Sequence, residues 1–253
     1  MEARLTNLRC GNQQFNNIQA VIFDKDGTLQ DSQTYLRELG IRRARLIDAQ
    51  IPGTGEPLLM AFGIQNDRLD PTGLMAVGSH RENQIAAAAY IAESGRSWFE
   101  SQAIARSCFA EAEKTLGERA TTSPLFAGSL EILQSLATAG LKLGILSADT
   151  TVNVRTFIEC HQLSDWVQLA MGVEGGLAKP DPALFLLACE KLGVEPQFTL
   201  MVGDAAGDIQ MAQQAGAAGT VGICWGNPAA AHLEAADVTI GRLDELEIVK
   251  FQT

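Results

Sequence analysis

The sequence predicts an α/β protein, a doubly wound parallel sheet interrupted once by an inserted α-helical unit. Short apolar runs without breakers, such as Ala20-Val21-Ile22-Phe23 and Leu200-Met201-Val202, read as strands buried on both faces. After Pro124 such runs alternate with segments of helical periodicity, the pattern of parallel strands joined by crossover helices. Between Gln33 and about Thr122 the alternation stops and helical periodicity alone remains. The expected organisation is therefore an α/β core formed by residues 1–32 and 123–253, with a helical insertion at 33–122.

The first strand runs into Asp24-Lys25-Asp26-Gly27-Thr28-Leu29, which places two carboxylates at its carboxyl end, where open α/β sheets hold their ligands. Helical periodicity covers Tyr35–Ala49, Leu74–Gly78 leading into Glu82–Glu93, and Trp98–Leu116. Further strands are expected at Leu141–Leu146, Trp166–Met171, Thr199–Val202, Thr220–Cys224 and Val238–Ile240. Helices are expected between them at Ser129–Ala139, Thr151–His161, Pro182–Leu192 and Asp208–Ala215. Gly140, Gly193 and Gly216 each follow a helical run, as left-handed closing residues do. There is no internal repeat and no low-complexity tract.

At 253 residues and 46% hydrophobic, the chain can bury a large core. A net charge of -11 without a basic cluster argues against nucleic acid or an anionic membrane surface as the main partner, so an anionic substrate must be held locally. Met1-Glu2-Ala3-Arg4-Leu5 lacks the charged-then-apolar pattern of a signal segment, and the apolar runs are too short to span a bilayer. A cytoplasmic protein is expected. Cys10, Cys108, Cys160, Cys189 and Cys224 are odd in number and have no ligand spacing, which suggests small core residues rather than disulfides or a zinc site. His80, His161 and His232 are scattered and are expected to be structural or at the surface.

Three more strand ends are polar. Leu146-Ser147-Ala148-Asp149 ends a strand on a hydroxyl beside a helix start, which by itself suits a helix cap as well as a ligand. Lys179 precedes Pro180 and a proline-opened helix, and alone it reads as a solvated lysine. Gly203-Asp204 followed by Asp208 repeats the opening design, because four residues make one helical turn and let both acids face the strand end. Carboxylates gathered at two strand ends of one sheet destabilise the fold unless a cation or a lysine faces them. Other motifs fail on spacing. The Asp24 loop lacks an EF-hand's glycine and glutamate positions, and Gly172–Lys179 lacks the Walker pattern.

In this order the residues resemble the motifs of the haloacid dehalogenase superfamily, in its phosphatase branch with a helical cap, close to phosphoglycolate phosphatases and β-phosphoglucomutases. Asp24-Lys25-Asp26-Gly27-Thr28-Leu29-Gln30-Asp31-Ser32 matches the first motif, Ser147 the second, Lys179 before Pro180 the third and Gly203-Asp204-x-x-x-Asp208 the fourth. The resemblance implies a Rossmann-like core with strand order 5-4-1-2-3, numbered from the strand ending at Asp24. It further implies Asp24 as nucleophile, Asp26 as general acid and base, and Mg²⁺ held by Asp24, the Asp26 carbonyl and Asp204. Ser147 and Lys179 would bind the substrate phosphate, and Asp208 would support the metal or Lys179 from behind. Lys25 receives no role.

An acid at position 26 points to phosphomonoesters, whose alcohol leaving group needs a proton. Ala148 departs from the asparagine that often follows the second-motif serine, so a contact from that side chain is missing. The insertion resembles the family's cap, which implies a small phosphorylated metabolite as substrate. Arg81, in Gly78-Ser79-His80-Arg81-Glu82-Asn83, and Arg68 are its candidate substrate contacts, although Ser79 or Asn83 would equally serve as a helix cap. The expected activity is hydrolysis through an aspartyl-phosphate, by a monomer or homodimer. A sugar-phosphate mutase and a catalytically idle phosphate-binding protein are the alternatives.

Overall fold

The computed structural model describes residues 6–116, 123–173, 176–225 and 230–249. The chain opens with β1 (Thr6–Cys10), β2 (Gln13–Ile18) and β3 (Ala20–Phe23). It then forms α1 (Gln33–Gln50), α2 (Gly55–Phe62), β4 (Ile64–Gln65), β5 (Arg68–Leu69), α3 (Leu74–Val77), α4 (His80–Glu93) and α5 (Trp98–Leu116). Alternation returns with α6 (Ser129–Thr138), β6 (Lys142–Leu146), α7 (Thr151–Cys160), β7 (Leu169–Met171) and α8 (Pro182–Leu192). The remaining elements are β8 (Thr199–Gly203), α9 (Ala206–Gln214), β9 (Gly219–Ile223), β10 (Val238–Ile240) and β11 (Leu246–Ile248). Two compact units result, Met1–Asp31 with Leu125–Thr253, and Ser32–Pro124.

The larger unit is built on a six-stranded sheet of order β10-β9-β8-β3-β6-β7, parallel throughout. Counted from β3, this is the expected order with one further strand, β10, outside the edge. Every residue of β3, β8 and β9 is buried, as befits strands covered on both faces. On one face Ile22, Leu146 and Met201 join Leu184, Phe185 and Ala188 of α8 and Met211 of α9 in a continuous core. Gly140, Gly193 and Gly216 take positive φ where their helices end, as expected.

The sequence left the role of residues 1–18 open. β1 pairs antiparallel with both β2 and β11, forming a separate three-stranded sheet. Phe15 of β2 lies so close over Gly219 that a Cβ there would strike its ring, which ties the hairpin to the main sheet. Cys10, Cys108 and Cys189 are core residues as expected, but Cys160 is exposed and Cys224 half-buried.

The Ser32–Pro124 unit has its own core, in which Leu39 and Ile47 of α1 meet Phe62, Ile91 and Phe109. It departs from the sequence expectation at three points. The two-residue strands β4 and β5 form a small hairpin whose turn residues, Asn66 and Asp67, both take positive φ (49° and 58°) as a type I′ turn requires. Helix α2 was hidden by Pro57, which is tolerated there because first-turn N–H groups have no intrahelical partner. The run from Leu74 into Glu93 is broken by extended backbone at Gly78 and Ser79. Ser79 and Glu82 form a reciprocal capping box, and the Asn83 amide donates to the carbonyls of Leu74, Gly78 and Ser79. In the same unit Arg43 is buried against Phe109 and pairs with Glu113, which also meets His80. Hydrogen bonding to His80 and the Arg43 charge outweigh burial and hold the Glu113 carboxyl below its usual range.

Candidate active site

The strand register brings the polar strand ends together. Phe23 pairs with Val202 on one side and with Ile145 on the other, so Asp24, Asp204 and Ser147 leave the sheet at the same end. The Asp24 N–H continues the ladder by donating to the Val202 carbonyl (2.9 Å). β3 and β8 flank the point where the strand order reverses, the crevice in which open α/β sheets bind ligands.

The loop after β3 is tightly closed. The Lys25 carbonyl accepts from the N–H groups of Leu29 and Gln30, both at 3.0 Å, and Gly27 N–H donates to the Gln30 carbonyl at 2.9 Å. Gly27 has φ +85°, and a Cβ there would occupy the space of the Asp204 carboxylate. Gly203 leaves the same kind of clearance for Asp208, where a Cβ would collide with the carboxyl group.

Asp24, Asp204 and Asp208 each present a carboxylate oxygen within 4.8 Å of the others. Lys179 is no solvated lysine. Its Nζ lies 2.5 Å from Asp24 Oδ1 and 2.6 Å from Asp208 Oδ1, inside the protein. The peptide between it and Pro180 is cis. Asp208 is neither a plain cap nor a surface acid, since it is fully buried and its other oxygen accepts from Ala205 N–H (3.2 Å). Asp204 accepts from the Thr28 hydroxyl at 3.1 Å, and His232 Nε2 donates to the Asp204 carbonyl at 3.0 Å. Trp225 donates to the Gly27 carbonyl at 2.8 Å and stacks on Phe126.

Burial raises the Asp24 carboxyl to about 7, with Asp208 and Asp26 adding to the rise and Lys179 opposing it. Asp204 is also raised well above the usual carboxylate value, by burial and by Asp24 and Asp208. For Lys179 burial works against the charge, yet Asp208 and Asp24 outweigh it and the ammonium is held more firmly than usual. Buried carboxylates this reluctant to ionise together are poised for a cation. Asp24 Oδ2 is buried and has no hydrogen-bond partner among the described residues, and the ligand atoms that Asp24, Asp204 and Asp208 offer are all carboxylate oxygens. The cluster thus fits a hard divalent metal of the magnesium or calcium type.

Ser147 is buried at the end of β6, and its hydroxyl accepts from Asp149 N–H at 3.1 Å. The cap of α7 is neither Ser147 nor Asp149 but Thr150, which accepts from Asn153 N–H. No local signal marks Lys25, the residue between the two acids of the first loop. It is 1% exposed, and its Nζ lies 2.7 Å from Asp26 Oδ2 and 3.2 Å from Asp149 Oδ2. Its position in the first strand-end loop was visible, but nothing local showed that the chain would bury it. Arg68 on β5 and Arg81 in the first turn of α4 belong to the other unit, and both are exposed.

Residues 18–216 match the family model for haloacid dehalogenase-like hydrolases. The chain belongs to the haloacid dehalogenase-like hydrolase family. Within it the chain is an enzyme of the phosphatase branch. It is 30% identical over 228 residues to a Dickeya dadantii protein named "Probable phosphatase IndB", covering 86% of each chain. It is 30% identical over 217 residues to the phosphoglycolate phosphatase of Escherichia coli K12, covering 84% of this chain and 83% of the relative. The solved β-phosphoglucomutase of Clostridium difficile superposes with a TM-score of 0.60 at 19% identity, covering 88% of this chain and 90% of that one, a likeness of fold. No helix among the described residues is long and apolar enough to cross a membrane.

Proposed function

We propose that this haloacid dehalogenase-like hydrolase is a Mg²⁺-dependent phosphomonoester hydrolase that works through an aspartyl-phosphate. The observation that carries this is the state of Asp24. One oxygen is fixed by Lys179 at 2.5 Å, and the other is buried with no hydrogen-bond partner among the described residues. A carboxylate anchored at one oxygen and bare at the other is oriented for attack.

Asp24 Oδ2 bonds to phosphorus as the bond from phosphorus to the ester oxygen breaks, and Asp26 gives its proton to the departing alcohol. Water then attacks the phosphorus of the acyl phosphate while Asp26 takes its proton, which releases inorganic phosphate and restores Asp24. Lys179 and the Ser147 hydroxyl bind the phosphoryl oxygens. Asp24, Asp204 and the Asp26 carbonyl would hold Mg²⁺, with Asp208 supporting from behind, and the ion would neutralise charge between carboxylate and phosphate.

We assign the Ser32–Pro124 unit the role of a cap that selects a small phosphorylated metabolite, with Arg68 and Arg81 as its candidate anion contacts. The relatives named phosphoglycolate phosphatase make a phosphorylated small acid the first substrate to assay. Asp24→Asn is expected to abolish Mg²⁺-dependent phosphate release on a phosphometabolite panel while leaving the far-UV circular dichroism spectrum unchanged. Release at the wild-type rate would overturn the assignment. Steady phosphate release also separates hydrolysis from mutase chemistry.

A further inference from the structure

We infer that Lys25 is a positioning residue that holds the carboxylate of Asp26 in place for proton transfer, an inference that rests on the phosphatase reading above. Lysine is among the residues least often buried, and a buried ammonium is tolerated only where acids meet it. Lys25 is buried with its side chain 2% exposed. Its Nζ touches Asp26 Oδ2 at 2.7 Å and Asp149 Oδ2 at 3.2 Å, and it lies 5.9 Å from the centre of the Phe157 ring. These partners come from the loop after β3, the loop after β6 and helix α7.

The far end of this tether is fixed. Asp149 Oδ1 accepts from Thr150 N–H at 2.8 Å and from the Asn153 amide at 2.7 Å, while Asp149 N–H is bound by Ser147. The near end is fixed as well, because the Lys25 carbonyl accepts from Leu29 and Gln30. The ammonium therefore ties the Asp26 carboxylate to the neighbouring strand's loop, the one that carries Ser147. A protonated carboxyl group that hands its proton to a leaving oxygen works only within hydrogen-bond reach of it, so loss of the tether removes proton transfer without removing attack by Asp24.

Leaving-group dependence separates this role from simple charge compensation. The comparison is kcat/KM for β-glycerophosphate and for p-nitrophenyl phosphate, because kcat/KM reports steps up to phosphoryl transfer and a nitrophenolate needs little protonation. Lys25→Met is expected to lower the ratio of alkyl to aryl kcat/KM by about tenfold or more, in the same direction as Asp26→Asn. The double variant Lys25→Met/Asp26→Asn should show the ratio of Asp26→Asn alone, and Lys25→Arg should restore most of it. Equal loss on both substrates, or effects that multiply in the double variant, would overturn the inference. Should Lys25→Met lose its circular dichroism signal, Asp149→Asn tests the same tether. A smaller shift of the ratio in the same direction supports the role, and an unchanged ratio overturns it. Phosphate release surviving in Asp24→Asn would instead remove the phosphatase reading itself, an outcome reached without any Lys25 variant.

Discussion

At residue scale, Gly27 couples backbone conformation to the acidic cluster. A side chain at its φ of +85° is strained, and a Cβ would press on the Asp204 carboxylate. Gly27→Ala is expected to destabilise the protein by about 1–3 kcal/mol. It should also weaken Mg²⁺ affinity by about tenfold or more, read by isothermal titration calorimetry. Destabilisation with unchanged affinity would mean that the glycine serves only the turn. Lys179 read alone as a solvated lysine and stood out only through its resemblance to a family motif, whereas Asp24, Asp204 and Asp208 were legible in the sequence because acids at the ends of apolar strands are costly wherever they lie. Lys25 was not, since the same loop residue could extend into water, and only the arrival of Asp149 and Phe157 from another strand and helix makes burial tolerable.

At the scale of elements, local signals sufficed where they were strong. Helix α8 runs from Pro182 to Leu192 as expected, with Asp181 as its cap and Gly193 closing it at φ 63°. Strands β3 and β8 were equally clear, because strands buried on both faces read as near-continuous apolar runs. The hairpin of β4 and β5 was invisible, since two residues cannot show alternation. Strands β1 and β11 pair across almost the whole chain, which no local window registers. The capping box at the start of α4 supports a prediction at this scale. Ser79→Ala removes the hydroxyl that accepts from Glu82 N–H and should cost about 1 kcal/mol, seen as a lower urea midpoint. An unchanged midpoint would show that the Asn83 amide alone holds the break between α3 and α4.

For the whole molecule, the cluster makes stability depend jointly on pH and metal. Asp24 has its pKa raised in the folded state from 3.8 to about 7, so across that window the folded protein holds more protons than the unfolded chain. Stability without metal should then fall as pH rises through the window, with Asp204 adding to the fall. A divalent cation replaces those protons, so the increase in Tm on adding Mg²⁺ should be larger at about pH 8 than at about pH 5.5. A metal effect equal at both values would contradict the raised carboxyls. The winding of the sheet and the main acids of the cluster are legible in the chain itself, because burial patterns, stop signals and stranded acids are local properties. Tertiary structure alone decided how those charges divide. Lys179 faces Asp24 and Asp208, Lys25 faces Asp26 and Asp149, and Asp204 faces a hydroxyl. Which acid meets which cation depends on strand register and on helices that arrive from distant parts of the chain, and electrostatic energies in a buried site change with every ångström of that arrangement.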